Sequence, residues 1–298
     1  MAQFRHRSPA GIAGTILKYG LLGIGAVVML APFADMILGA LRTPQERLVQ
    51  PPVYWPRDPQ WINFARVFTE LPMLRWMLNS IFLTAVITFL QLLTSALAGY
   101  ALAKYRFRGR DFLFQSVLGA QMFPFFLFLI PVFFILRYFP LIGGNDIMGL
   151  GGSGFLNTYA SIILPFAVSW YGIFLMRQFF IGLPDELIDA ARLDGAGEFR
   201  IFFVIALPLV LPGLATLGIF VFVYQWNEVI WTMTVTRTAP DLQTIPVGIY
   251  LLRGAFIDQA SLSLQQAALA ISILPVMITF LFLQRYYVRG LTAGAIKG

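Results

Sequence analysis

The sequence predicts an all-α integral membrane protein of about six transmembrane helices, and three observations carry that prediction. Hydrophobic residues make up 58% of the 298-residue chain and charged ones only 12%, where soluble domains carry about 25% charged residues. Mean hydropathy is +0.76. The apolar residues gather in long runs between polar connections, and a run of about 20 suffices to cross a bilayer. Residues 1–298 are expected to form a single transmembrane domain. The absence of cysteine excludes disulfides, thiolate metal sites and cysteine nucleophiles. The sole histidine, His6, lies in a basic N-terminal tail and reads as a solvated residue rather than a ligand. A net charge of +7 fits cytoplasmic loops facing anionic lipid. It does not point to nucleic acid, because the basic residues sit beside apolar spans.

In chain order, the first span is expected over 16–41, with Lys18 near its start and Asp35 near its far end. A cleaved signal peptide has an apolar core of about 7–15 residues, so this longer run reads as a retained helix. Gly20, Gly23 and Gly25 permit close helix packing there. Residues 42–78 form a polar connection rich in proline, carrying Tyr54, Trp55, Trp61 and Trp76, aromatic types that favour the membrane boundary. The second span covers 79–103 and ends on Lys104, Arg106, Arg108 and Arg110. The third covers 112–136, where the many phenylalanines read as lipid-facing or packing residues. A glycine-rich, nearly uncharged loop leads to a fourth span over 157–176, followed by a fifth over 207–231 and a sixth over 266–287.

Charge orients these spans. Lys and Arg in short loops mark the cytoplasmic side. Lys104, Arg106, Arg108, Arg110, Arg192, Arg200, Arg289 and Lys297 all fall on one side if both termini are cytoplasmic. The opposite loop at 138–156 has no Lys or Arg, and that at 232–265 has only Arg237 and Arg253. The five arginines of 42–78 argue the other way, but that connection is long and partly neutralised by Glu46, Asp58 and Glu70. The expected topology is N-in and C-in, which places residues 182–206 in the cytoplasm.

That loop has an internal order. Pro184 suits a first helical position, where its missing N–H costs nothing, and Asp185 and Glu186 suit the positive end of the helix dipole. Leu187, Ala190, Ala191 and Asp194 continue at helical spacing, and Gly195 offers a turn. A second helix is expected to start near Gly197–Glu198, glycine being an acceptable N-cap, and to run into the fifth span. The string Asp189-Ala190-Ala191, three residues, Gly195, nine residues, Ile205-Ala206-Leu207-Pro208 resembles the EAA loop of the membrane-spanning subunits of ATP-binding-cassette importers. Asp189 stands where that family usually has Glu, and Gly197 where it often has a hydroxyl residue. Trp76-Met77-Leu78-Asn79-Ser80, Ala98-Gly99-Tyr100-Ala101-Leu102-Ala103, Trp226-Asn227-Glu228 and Arg289-Gly290-Leu291-Thr292-Ala293-Gly294 are similar to the carbohydrate, maltose-permease-like branch.

The resemblance implies a multi-pass subunit of a bacterial inner membrane, coupled through a cytoplasmic helix to an ATP-binding-cassette ATPase dimer. It also implies a second homologous permease subunit and an extracytoplasmic solute-binding protein. By that resemblance Asp189, Ala190, Ala191 and Gly195 form the ATPase-coupling residues, with Arg192, which also suits an i,i+3 pair with Asp189. The chain offers no P-loop, since none of Lys18, Lys104 and Lys297 follows a glycine. It offers no nucleophile–base arrangement and no metal cluster either, so no catalytic residue, metal or cofactor is expected in it. Mg-ATP belongs to the partner ATPase. Polar residues inside spans face the bundle interior or a wet cavity. That makes Asn227, Glu228, Gln225 and Gln121, with Gln91 and Asp35, candidates for a solute path, although an interhelical hydrogen bond explains each one singly. An ion-gradient-driven secondary transporter is the alternative class. It calls for charges near mid-membrane in repeated halves, which the sequence does not display.

Overall fold

The computed structural model describes residues 9–49, 53–255 and 259–295, with side chains described over 14–49, 53–252 and 262–282. All regular structure among the described residues is helical. The chain divides into two compact units, one of residues up to Pro72 with Leu252–Ile271, the other of Met73–Leu251 with Ser272 onward.

In the first unit, helix α1 (Pro9–Leu41) contains the expected span and continues through Pro32. Its large side chains from Ile16 to Ile37 are exposed, and a helix apolar on all sides is one built for a membrane. Asp35, at the far end, accepts from Arg42 at 2.8 Å. The polar connection at 42–78 contains two short helices before the next long one. Helix α2 (Pro44–Leu48) starts on a capping box, with Thr43 Oγ1 accepting from the Glu46 amide at 3.2 Å and the Glu46 carboxylate from the Thr43 amide at 3.0 Å. Helix α3 (Ile62–Glu70) buries Asn63 and Val67, and Asn63 Nδ2 donates to Ala40 O at 2.8 Å. Arg47 donates to Ser263 Oγ at 2.9 Å and also to Gln266 and the Gly39 carbonyl.

The second unit starts with α4 (Met73–Lys104), so the expected second span begins at Met73 rather than Asn79. The expected third span is not one helix. It is α5 (Arg110–Gln121), a 3₁₀ turn at Phe125–Leu127 and α6 (Leu129–Arg137). The interruption falls at Pro124, which has no N–H to continue the ladder. The fourth is α7 (Tyr159–Ile163), a 3₁₀ turn at Leu164–Phe166 and α8 (Trp170–Ile181), bent by 44°. Helix α9 (Asp185–Leu193) follows, then α10 (Glu198–Arg200), a π-helical stretch Ile201–Ala206, α11 (Leu207–Leu209) and α12 (Leu211–Trp226). A bend of 78° separates α11 from α12, flanked by Pro208 and Pro212. The fifth span thus stops at Trp226 instead of reaching Trp231, because α13 (Ile230–Val235) is a separate helix. Helix α14 (Ile245–Ala255) lies within the expected outer loop, and α15 (Gln259–Ala295) contains the expected sixth span. Among the described residues three helices are long and apolar enough to cross a membrane, or five if each bent pair is one span.

Small residues set the spacing of this unit. A β-carbon at Gly99 would lie 2.8 Å from the Arg177 amide nitrogen and from Met176 Cβ. One at Gly172 would lie 2.2 Å from Ser95 Oγ. Helices α4 and α8 therefore meet nearly backbone to backbone, the way transmembrane helices gain van der Waals contact when lipid offers no hydrophobic drive. The core under residues 182–206 combines Ala96 and Tyr100 of α4, Met176 and Phe180 of α8, and Phe202 of the π-helical stretch. Tyr100 meets Phe180 and Phe202 with ring centroids 5.2 Å apart in each case.

Candidate functional site

Helix α9 is amphipathic and lies on that core. Ile188 and Ala191 point inward and join it, while Asp189, Ala190, Arg192 and Leu193 are exposed. Leu193 is 89% exposed and Phe199, one helix on, 77%. The sequence had suggested both alanines for an outside partner. Ala191, only 8% exposed, is instead used by the chain itself, because a 3.6-residue period turns it to the face of Ile188. Pro184 precedes the helix at the cap position with φ −59° and ψ 133°, so Asp185 is the first helical residue.

The C-terminal end of α9 is a complete Schellman turn. The Ala196 amide donates to Ala191 O and the Gly195 amide to Arg192 O, each at 3.0 Å. Gly195 adopts φ +80°, and a β-carbon there would meet nothing within 4 Å. Its requirement is conformational, not steric. Gly197 is the cap residue of α10, with φ −68° and ψ 154°.

Polar contacts fasten the loop to the end of α4 and close it on itself, and of these the sequence reading had paired only Arg192 with Asp189. Lys104 Nζ donates to Asp185 at 2.5 Å and to Leu183 O at 2.6 Å. Tyr105 donates to Glu198. Arg192 spans both halves of the loop, donating to Glu198 at 2.7 Å and to Asp189 at 3.1 Å, with its guanidinium 5.9 Å from the Tyr105 ring centre. The hydrogen bond from Lys104 holds the Asp185 carboxyl below its ordinary range. The Glu198 carboxylate raises the Arg192 guanidinium. Burial first, and the bond to Glu198 second, push the Tyr105 hydroxyl up to about 12. The signal for the Lys104 and Tyr105 contacts was present only as residues placed just past a span, with no periodicity to say what they meet.

The candidate solute-path residues fall on two neighbouring cavities. Gln121 and Gln225 line one of about 700 Å³ beside the break between α7 and α8. Asn227 and Glu228 line another of about 660 Å³. Phe125, Val223 and Tyr224 belong to both walls. Asn227 Nδ2 donates back to Val223 O at 2.7 Å. Glu228 caps α13, accepting from the Trp231 and Thr232 amides at 2.6 and 2.9 Å and from Thr232 Oγ1 at 2.6 Å. Trp226 Nε1 donates to Ser272 O at 3.2 Å. Asp35 belongs to the other unit and pairs with Arg42.

With the loop and cavities described, the family is decided by residues 91–293, which match the model of the binding-protein-dependent transport system inner membrane component. The chain belongs to this family. It is an inner-membrane permease subunit of an ATP-binding-cassette importer. The permease is 36% identical over 296 residues to the arabinooligosaccharides transport system permease protein AraQ of Halalkalibacterium halodurans, covering 98% of this chain and 99% of the relative. It is 30% identical to the lactose transport system permease protein LacG of Rhizobium radiobacter, over the whole of both chains. A crystal structure of a bacterial ABC transporter involved in import of the acidic polysaccharide alginate contains a chain that superposes with a TM-score of 0.76. That match has 25% identity and covers 96% of this permease and 100% of that chain.

Proposed function

We propose that this permease is one of two related membrane subunits of an ATP-driven importer for a sugar or related polar solute, driven by a separate ATPase dimer through residues 182–206. One observation carries the reading. The loop presents an exposed face of Asp189, Ala190, Leu193 and Gly195 while its other face, through Ile188 and Ala191, is packed into the core shared by α4 and α8. A close-packed interior transmits displacement instead of absorbing it, so a push on the outer face reaches the spans. The relatives named for arabinooligosaccharide and lactose transport support the sugar class.

The charge asymmetry supports six spans with both termini cytoplasmic, the broken segments α5–α6, α7–α8 and α10–α12 each counting as one. The loop then lies on the side where Mg-ATP is bound by the partner ATPase, and an extracytoplasmic binding protein delivers solute to the opposite side. ATP closes the ATPase dimer, the coupling helices of the two permeases approach each other, and the cavity opens outward. After hydrolysis it faces inward. Ala191 serves in this scheme as the small residue that lets α9 sit close to its own core, and Gly195 as the turn that sets its exit angle. This chain supplies no catalytic group of its own.

A tagged pull-down from mild detergent tests the reading. A P-loop ATPase co-purifies with the intact chain and is lost from folded, monodisperse Asp189→Lys and Gly195→Pro variants. Uptake of tritiated arabinotriose or lactose by the reconstituted assembly then requires ATP and survives collapse of ion gradients. Uptake that stops with an ionophore and ignores ATP would make the gradient-driven carrier the right class.

A further inference from the structure

A chain that crosses lipid has to satisfy its backbone polar groups from within, and non-helical backbone at that depth persists only where it is buried in protein or lines a wet cavity. The segment between α7 and α8 is such a place. Side chains of neighbouring helices donate to carbonyls along it and at the first residue of α8. Gln91 Nε2 donates to Phe166 O at 2.7 Å, Thr94 Oγ1 to Ala167 O at 3.1 Å, and Gln121 Nε2 to Trp170 O at 3.4 Å. Ser169 Oγ accepts from the Gly172 amide at 3.0 Å and starts α8. These side chains are engaged with backbone at the break.

Gln225 is not. It lines the same cavity of about 700 Å³, is only 8% exposed, and its Nε2 is buried with no acceptor among the described residues. The large majority of buried side-chain polar atoms have a partner, and a buried donor left without one is costly. The group is therefore placed for an acceptor that comes from the cavity. The rest of the wall narrows what that acceptor belongs to. Tyr171 and Tyr224 offer half-exposed rings, and rings joined by a few placed polar groups are the usual composition of a small-molecule site of about 300–1,000 Å³. Among the described residues no charged side chain lines the cavity. An anionic solute would give up its water there without a counter-charge, which is costly.

Resting on the sugar-import reading, we propose that this cavity is a solute-contact subsite within this subunit, in which the Gln225 amide donates to a hydroxyl of a neutral sugar. The permease thus touches the solute itself and does not merely frame a site held by its partner. The same wall disfavours a phosphate ester or a uronate.

The test uses the assembled importer in proteoliposomes, with tritiated arabinotriose and lactose as probes. Gln225→Leu keeps the bulk and removes the donor, and its KM for the transported sugar is expected to rise about tenfold. An unchanged KM in that variant overturns the proposal. Should Gln225→Leu fail to fold, the decision passes to Tyr224→Cys, which is specific because the native chain has no cysteine. A charged, membrane-impermeant thiol reagent is expected to modify the introduced thiol, and saturating sugar to slow the modification severalfold. A thiol that the reagent never reaches, or that sugar does not protect, overturns the subsite while ATP-driven uptake stands. Wild-type uptake of neither sugar overturns the import reading and this one with it.

Discussion

At the scale of single residues, Gly195 carries the sharpest demand. Its φ of +80° is where a side chain crowds the following carbonyl at a cost of roughly 1–2 kcal/mol, although there is room for one. Gly195→Ala is expected to lower the apparent Tm of the detergent-solubilised permease by that amount of stability, and Gly195→Asn by less, because Asn tolerates the left-handed region. This residue was legible in the sequence because a helix end needs such a turn, and DAA followed by Gly marks one. The contacts of Lys104 and Tyr105 were not legible, since they join residues 79 to 93 positions apart. They also set a pH window. Asp185, held below its ordinary 3.8 by Lys104, contributes in full above that value and loses its contribution as pH falls through the lower folded value. Tyr105, raised from 10.0 to about 12, contributes below 10.0 and loses its contribution as pH rises toward 12. Limited proteolysis at residues 182–200 is therefore expected to stay flat from pH 5 to pH 9 and to accelerate only outside that range; acceleration near pH 7 would contradict the assignment.

At the scale of elements, apolar runs located the spans but not their breaks. A continuous stretch of Phe, Leu and Ile reads the same whether it is one helix or two. Pro124, Pro165, Pro208 and Pro212 were the available signal, because each lacks the N–H that continues a ladder. Proline alone does not decide the matter, however. Pro32 and Pro275 sit inside unbroken helices. At the α7–α8 break, side chains of a neighbouring helix donate to the freed carbonyls, Gln91 to Phe166 O and Thr94 to Ala167 O. The close meeting of α4 and α8 yields a paired prediction. Gly99→Leu drives a side chain into Arg177 backbone and Met176, and overpacking of this kind costs typically about 1–3 kcal/mol. Gly218→Ala places its β-carbon 3.6 Å from Leu92, an ordinary contact, and is expected to be near neutral. Thermal unfolding in detergent compares them, and equal losses would mean that the two helices do not pack as described.

At the scale of the whole molecule, the expected arrangement across the membrane rests on the distribution of charge and not on local pattern. The loop containing Gly197 sits among Lys104, Arg106, Arg108, Arg110, Arg192 and Arg200, while residues 138–156 carry no Lys or Arg. Lys and Arg resist translocation and hold their loops in the cytoplasm. The cysteine-free chain makes this directly testable by single thiols at two positions whose side chains meet solvent. Met148 is 76% exposed in a turn where Asp146 Oδ1 accepts from the Met148 and Leu150 amides at 2.8 Å each, so Met148→Cys leaves those bonds intact. A β-carbon at Gly197 would meet nothing within 4 Å, and its φ of −68° suits any residue. An impermeant maleimide added to intact spheroplasts is expected to label Met148→Cys and to leave Gly197→Cys untouched until the membrane is opened. The reverse pattern would put the exposed face of α9 on the side without ATP, and a coupling role for residues 182–206 would then be physically impossible. Labelling of both in sealed cells would mean an even number of crossings between them, so that the bent α7–α8 segment does not count as one span.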